Sequence, residues 1–140
     1  MNRVLIALGL SLAISTVARA EKFTALLDGL QENPPVATPL SGTGSASYNS
    51  GTQILSVSMS YSGLVGTTTD AHIHCCATEL SANAGIAIHF IPAGFVIGTT
   101  SGTFNAAFDL SLQSTYNPTY FTNSGGNVGE TPGPFVGAVG

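Results

Sequence analysis

Ala71-His72-Ile73-His74-Cys75-Cys76 gathers two of the chain's three histidines and both of its cysteines into one short run. In a β-strand, side chains alternate between faces, so His72, His74 and Cys76 share a face while Ile73 and Cys75 point the other way. Two neutral imidazoles on one face form a nitrogen chelate suited to copper, which also accepts thiolate. The remaining histidine, His89 in Ile86-Ala87-Ile88-His89-Phe90-Ile91, adds a third nitrogen if its strand lies beside the first. The candidate metal set is therefore His72, His74, His89 and Cys76, and copper is the one cofactor the residues imply. The competing reading has the imidazoles hydrogen-bonded to backbone and to carboxylates such as Asp70, holding a loop in place. Two ligands alone do not make a tight site.

Cys75 and Cys76 admit three readings. Thiols of exported proteins oxidise, so pairing is expected. Neighbouring cysteines bridge each other only through a strained turn, because adjacent Cα atoms sit closer than a relaxed disulfide requires. They pair with each other in such a turn, pair between chains, or ligate metal as thiolates. Neither suits catalysis, since no Lys or Arg lies near in sequence to lower a thiol pKa.

Short strands position this cluster. Leu55, Val57, Met59 and Tyr61 alternate with Ser56, Ser58 and Ser60, the period of a half-buried strand. Gly42 to Tyr48 precedes it, and Asn49-Ser50-Gly51-Thr52 supplies turn chemistry, so the two segments form a hairpin. Further strands are expected at 22–28, 71–74, 85–91 and 102–110, the last with Phe104, Ala106, Phe108 and Leu110 on one face. Abundant Gly, Pro, Ser and Thr with few Glu, Lys or Arg oppose long helices. The sequence predicts an all-β fold, an antiparallel β-sandwich or a partly open Greek-key barrel. From about Asn117 the signals turn loop-like, so the domain is placed at 21–116 and 117–140 is read as a Gly/Pro-rich terminal segment.

Residues 1–20 read as a secretory leader. Met1-Asn2-Arg3 is a short positive start, Val4 to Val17 is mostly apolar, and Ala18-Arg19-Ala20 offers small residues at the positions a signal peptidase reads. The apolar run is shorter than the roughly 20 residues a membrane span needs. Cleavage after Ala20 leaves a secreted, periplasmic or extracellular chain from Glu21, without a membrane span. It also leaves Lys22 as the only basic residue against all seven acidic ones. Nucleic acid is thereby excluded as a partner, because no basic surface exists to displace its counterions.

The stretch from Phe23 to Pro35 resembles the opening Phe-x-Ala-x-Leu-x-Gly-x-x-Glu-x-Pro-Pro of CHRD domains, with Glu32, Pro34 and Pro35 at its motif positions. The resemblance continues through Leu55 to Leu64, through Ala71-His72-Ile73-His74, and through Asn83-Ala84-Gly85 and Gly102-Thr103-Phe104. The Cys75-Cys76 that follows His74 is similar to a subgroup of secreted bacterial members, where most others have Gly-Pro. The family's closing Asn-x-His-Thr strand and Gly-Glu-Ile-Arg-Gly are missing, so the resemblance implies a domain that is C-terminally short or diverged. The His-x-His strand also resembles the copper-ligand strand of Cu,Zn superoxide dismutase, itself a β-sandwich, but that centre needs more histidines than this chain has. No Ser-His-Asp order, phosphate loop or carboxylate pair assigns a catalytic residue. The sequence therefore reads as a binding or structural module for a protein or small ligand, with a copper-binding protein or metalloenzyme using His72 and His74 as the alternative.

Overall fold

A computed structural model describes residues 19–32, 34–75 and 84–123. The sandwich reading holds, and the barrel is not closed. One sheet has four strands, β1 (Ala20–Leu27), β2 (Ser41–Asn49), β3 (Ile54–Ser62) and β6 (Gly102–Asp109), all antiparallel in the order β1-β2-β3-β6. The other pairs β4 (His72–Cys75) with β5 (Gly85–His89). Among the described residues one short α-helix, α1 (Pro118–Asn123), follows β6.

The hairpin of β2 and β3 shows why these residues pair. Asn49 Oδ1 accepts the N–H groups of Gly51 and Thr52 at 2.9 and 3.2 Å, closing the turn as an Asx motif. Gln53 takes the left-handed conformation at φ 55°, and its carbonyl accepts the Leu110 N–H. With the register so fixed, Leu55, Met59 and Tyr61 are buried while Ser56, Ser58, Ser60 and Ser62 face solvent. Across the sheet these serines lie opposite Thr43 and Ser45 on β2 and Thr103 and Asn105 on β6. Beyond Ile54 at its start, the outer face of β3 and the β6 positions opposite it are thus a hydroxyl and amide surface without a large apolar group, as solvent on one side of an antiparallel sheet demands.

Between the sheets lies an aromatic core. Leu55 and Leu110 are fully buried. Phe90, just beyond β5, stacks on Phe104 and Phe108 of β6 with ring centroids 4.7 and 5.6 Å apart, joining the two-stranded sheet to the four-stranded one. Apolar burial of this kind stabilises by roughly 25 cal/mol per Å² removed from water, and the rings bring the largest areas.

The chain beyond β6 adds to this core as far as Phe121. Tyr116 and Tyr120 are buried and stacked at 5.0 Å, and the Tyr116 hydroxyl donates to the Leu110 carbonyl at 3.0 Å. Asn117-Pro118 starts α1 for a local reason: Asn117 Oδ1 accepts the Thr119 N–H and hydroxyl, and proline suits a first helical position. Residues 117–123, read as loop-like from the sequence, therefore pack against β5, because the buried tyrosines offset what the local signals lack. Residues 124–140 lie outside the described set.

Asp109, at the end of β6, is held below the usual carboxylate pKa by the Ser111 hydroxyl and then the Ser111 N–H, and burial opposes this only weakly. A folded-state pKa below the unfolded value, about 3.9, makes this contribution to stability complete above that value. It is lost as pH falls through the lower folded one. Carboxyl NMR titration is expected to show the Asp109 pKa rising toward the ordinary value in Ser111→Ala; an unmoved titration would contradict the assignment.

Candidate imidazole and carboxylate site

The site is built by β4, β5 and the residues that flank them. His72 opposes His89 in the ladder and Ile73 opposes Ile88, but His74 opposes Ile86, so Ala87 is the extra residue of a bulge on β5. A bulge bends its strand and re-aims side chains. Out of the ladder, the Ala87 carbonyl accepts the Asn117 N–H at 2.7 Å, which brings Asn117 beside His89. Sequence neighbours and distant residues thereby meet. His72 and His74 have ring centroids 4.5 Å apart, and those of His72 and His89 are 5.8 Å apart.

Each hydrogen bond fixes where a proton sits. Asn117 Oδ1 is taken by Thr119, so its Nδ2 faces His89 Nε2 at 2.9 Å as a donor. His89 therefore carries its proton on Nδ1, which faces Asp70 Oδ2 at 3.3 Å. His74 Nδ1 lies 2.7 Å from the Ala84 carbonyl, an acceptor only, so His74 too is protonated on Nδ1 and its Nε2 is a bare lone pair. That Nε2 sits 2.8 Å from His72 Nε2.

His72 is left with two acceptors and one proton. Its Nε2 faces the His74 lone pair, and its Nδ1 faces Asp70 Oδ2 at 3.4 Å, too long for a good hydrogen bond. Nδ1 is buried and makes no hydrogen bond, and the side chain is only 13% exposed. A second proton would satisfy both sides. Burial, however, and after it the neighbouring His74, push the His72 pKa down, and Asp70 opposes them without reversing the shift. Burial raises the Asp70 pKa in isolation, but the Ala71 N–H at 2.7 Å and the His72 and His89 rings outweigh it and leave it below its ordinary value. Both shifts leave His72 a neutral imidazole beside the Asp70 carboxylate at neutral pH, with one proton for two acceptors.

The structure thus brings His72, His74 and His89 together, as the sequence suggested if β5 lay beside β4. Donor atoms of Asp70, His72 and His89 lie within 4.8 Å of one another. Two members are additions to the set read from the sequence. The sequence offers Asp70 only as a hydrogen-bond partner of the imidazoles, and Asn117 stands at the start of the loop-like segment, where its Asn-Pro-x capping pattern is the available signal. Cys76 lies outside the described residues, as does the side chain of Cys75, and so do all three readings of that pair. Glu32 and the exposed Pro34 and Pro35 belong to the β1–β2 connection, a turn closed by the Glu32 and Val36 N–H groups on the Gly29 carbonyl.

Fold and cluster together define a small antiparallel β-sandwich with an imidazole and carboxylate site between strands. A sequence model of the CHRD domain matches residues 23–125, and the chain belongs to the CHRD domain family. CHRD domains are of extracellular type, and no helix among the described residues is long and apolar enough to cross a membrane. No curated protein and no solved structure matches the chain.

Proposed function

We propose that this CHRD domain is an exported binding module rather than an enzyme, and that its ligand is a copper ion held at His72 and His74 with Asp70 and His89 around them. The observation that carries this reading is His72, a buried imidazole flanked by a bare His74 nitrogen and the Asp70 carboxylate, where one proton cannot serve both. A cation on either side completes the network. Imidazole nitrogen and carboxylate oxygen are donors that copper accepts, and ligating histidines characteristically give their other N–H to a carboxylate or a carbonyl. Asp70 and the Ala84 carbonyl occupy those positions. The test is metal content after purification from copper-supplemented medium, comparing the chain with His72→Ala/His74→Ala. More copper per chain in the first than in the second supports the reading, and metal-free wild-type protein overturns it.

Export carries its own expectation. Cleavage after Ala20 removes one ladder pair, Ala20 with Asn49, together with the Arg19–Ser50 bonds, and leaves the rest of β1 paired to β2. Intact mass of the exported protein is expected to place its N-terminus at Glu21; retention of Met1 would contradict this.

A further inference from the structure

We propose that copper enters on the Nε2 side, between His72 and His74, as a cis pair that favours the cupric over the cuprous ion, and that Asp70 is a positioning residue that makes the pair available by holding the His72 proton on Nδ1. This rests on the copper reading above and adds which atoms bind, which oxidation state they select and what Asp70 does.

The bite distance argues for the geometry. With metal–nitrogen bonds of about 2.0–2.1 Å, two ligands at a right angle have nitrogens about 2.9 Å apart, tetrahedral ligands about 3.4 Å, and linear ligands about 4.1 Å. His72 Nε2 and His74 Nε2 are 2.8 Å apart. Right-angled nitrogen ligands suit the tetragonal field of Cu(II), whereas Cu(I) with two imidazoles seeks a line. The hydrogen bonds argue for the side. His89 Nε2 is occupied by Asn117 Nδ2 and its Nδ1 proton points to Asp70, so His89 offers no bare nitrogen while those bonds last. His74 Nε2 is bare already, fixed by the Ala84 carbonyl.

Only His72 has to change. Without metal, the form of the ring with its proton on Nε2, bonded to His74, exchanges with the form that carries it on Nδ1, facing Asp70. With metal, that proton is carried on Nδ1 and faces the Asp70 carboxylate at the 3.4 Å now separating them, and the freed Nε2 joins His74 Nε2 on the ion. The ring keeps a single proton throughout and only the nitrogen bearing it differs. A carboxylate lowers the cost of that tautomer. Asn at position 70 keeps an oxygen for the Ala71 N–H but turns an N–H donor toward His72 Nδ1, which fixes the proton on Nε2 and closes the site; the same donor faces the His89 Nδ1 proton, so the contact to His89 is lost as well.

The test uses the full chain with Cys75→Ser and Cys76→Ser in every sample, so that thiolates do not hold the metal, and compares it with added Asp70→Asn and with added His72→Ala/His74→Ala. Cupric titration is expected to show affinity roughly 10–100-fold lower in Asp70→Asn, the usual loss for an outer partner of a metal ligand. Long-range ¹H–¹⁵N spectra of the metal-free proteins report the role directly: the Nδ1–H form of His72 should be depleted in Asp70→Asn in favour of the Nε2–H form, which a merely structural carboxylate would not produce. Electron paramagnetic resonance of the cupric protein should be tetragonal with two imidazole nitrogens, and the bound copper should have a reduction potential below that of the aqueous couple. Unchanged affinity in Asp70→Asn, an unchanged tautomer population, or a potential at or above the aqueous one overturns the inference while leaving the copper reading intact if the double alanine variant has lost binding. Absence of copper binding by the parent chain removes that reading, and this inference with it.

Discussion

Calorimetric titration of copper into His72→Ala/His74→Ala, with Cys75 and Cys76 oxidised in both samples, is expected to show affinity reduced beyond the roughly 10–100-fold that loss of an outer partner costs. Both nitrogen donors are removed, leaving the Asp70 carboxylate and a His89 whose Nε2 is engaged by Asn117. The variant should fold. His72 and His74 project from the face of β4 opposite to Ile73, and Ile73 is the residue of that pair of faces that enters the hydrophobic core. Truncating His72 also removes a buried nitrogen without a hydrogen bond, a group that costs free energy while it stays unpaired. The metal-free variant is therefore expected to unfold at a temperature no lower than a few degrees below the parent. Equal copper affinity in the two proteins would make the His-x-His pair a structural feature and end the metal-binding reading.

The second large effect is on stability. Leu55→Ala is expected to destabilise the domain by about 3 kcal/mol, within the range of roughly 2–5 kcal/mol for truncating a buried leucine. Leu55 is fully buried in the middle of the sheet, opposite Tyr48 on β2 and Phe108 on β6, both themselves buried, so little around it can collapse into the space. Against a total stability of about 5–15 kcal/mol, this is a large share. Urea denaturation should show the midpoint falling by about 1 M or more with the slope unchanged. Ser58→Ala, three residues along the same strand and on its solvent face, serves as the comparison and should stay within about 0.5 kcal/mol of the parent. Similar losses for both would mean that the two faces of β3 are not assigned correctly.

These experiments separate what is local from what is not. The sidedness of β3 was legible because alternation has a period of two and needs no knowledge of the rest of the chain. The same rule placed His72 and His74 on one face. Turn residues at Asn49 to Thr52 marked the hairpin because an Asx side chain and glycine do their work within a few bonds of their own position. The ordered motifs from Phe23 to Phe104 carried the CHRD resemblance, which the match over residues 23–125 bears out.

What the tertiary structure alone decided is how those strands meet. A shift of two residues preserves which side chains face inward, so alternation along β4 and β5 is satisfied by several registers and selects none. The observed one puts His72 opposite His89, and the extra residue at Ala87 frees a carbonyl for Asn117, which in turn caps His89. Asp70 becomes the centre of the cluster only because that register sets two imidazoles around one carboxylate. Residues 117–123 carry loop-like signals for the same reason: α1 packs against β5, far earlier in the chain, and short-range turn signals carry no record of that. The sequence by itself determined a strand able to present two imidazoles together. Long-range pairing decided which carboxylate and which third imidazole stand beside them, because hydrogen-bond register and apolar packing are properties of residues that the chain brings together only on folding.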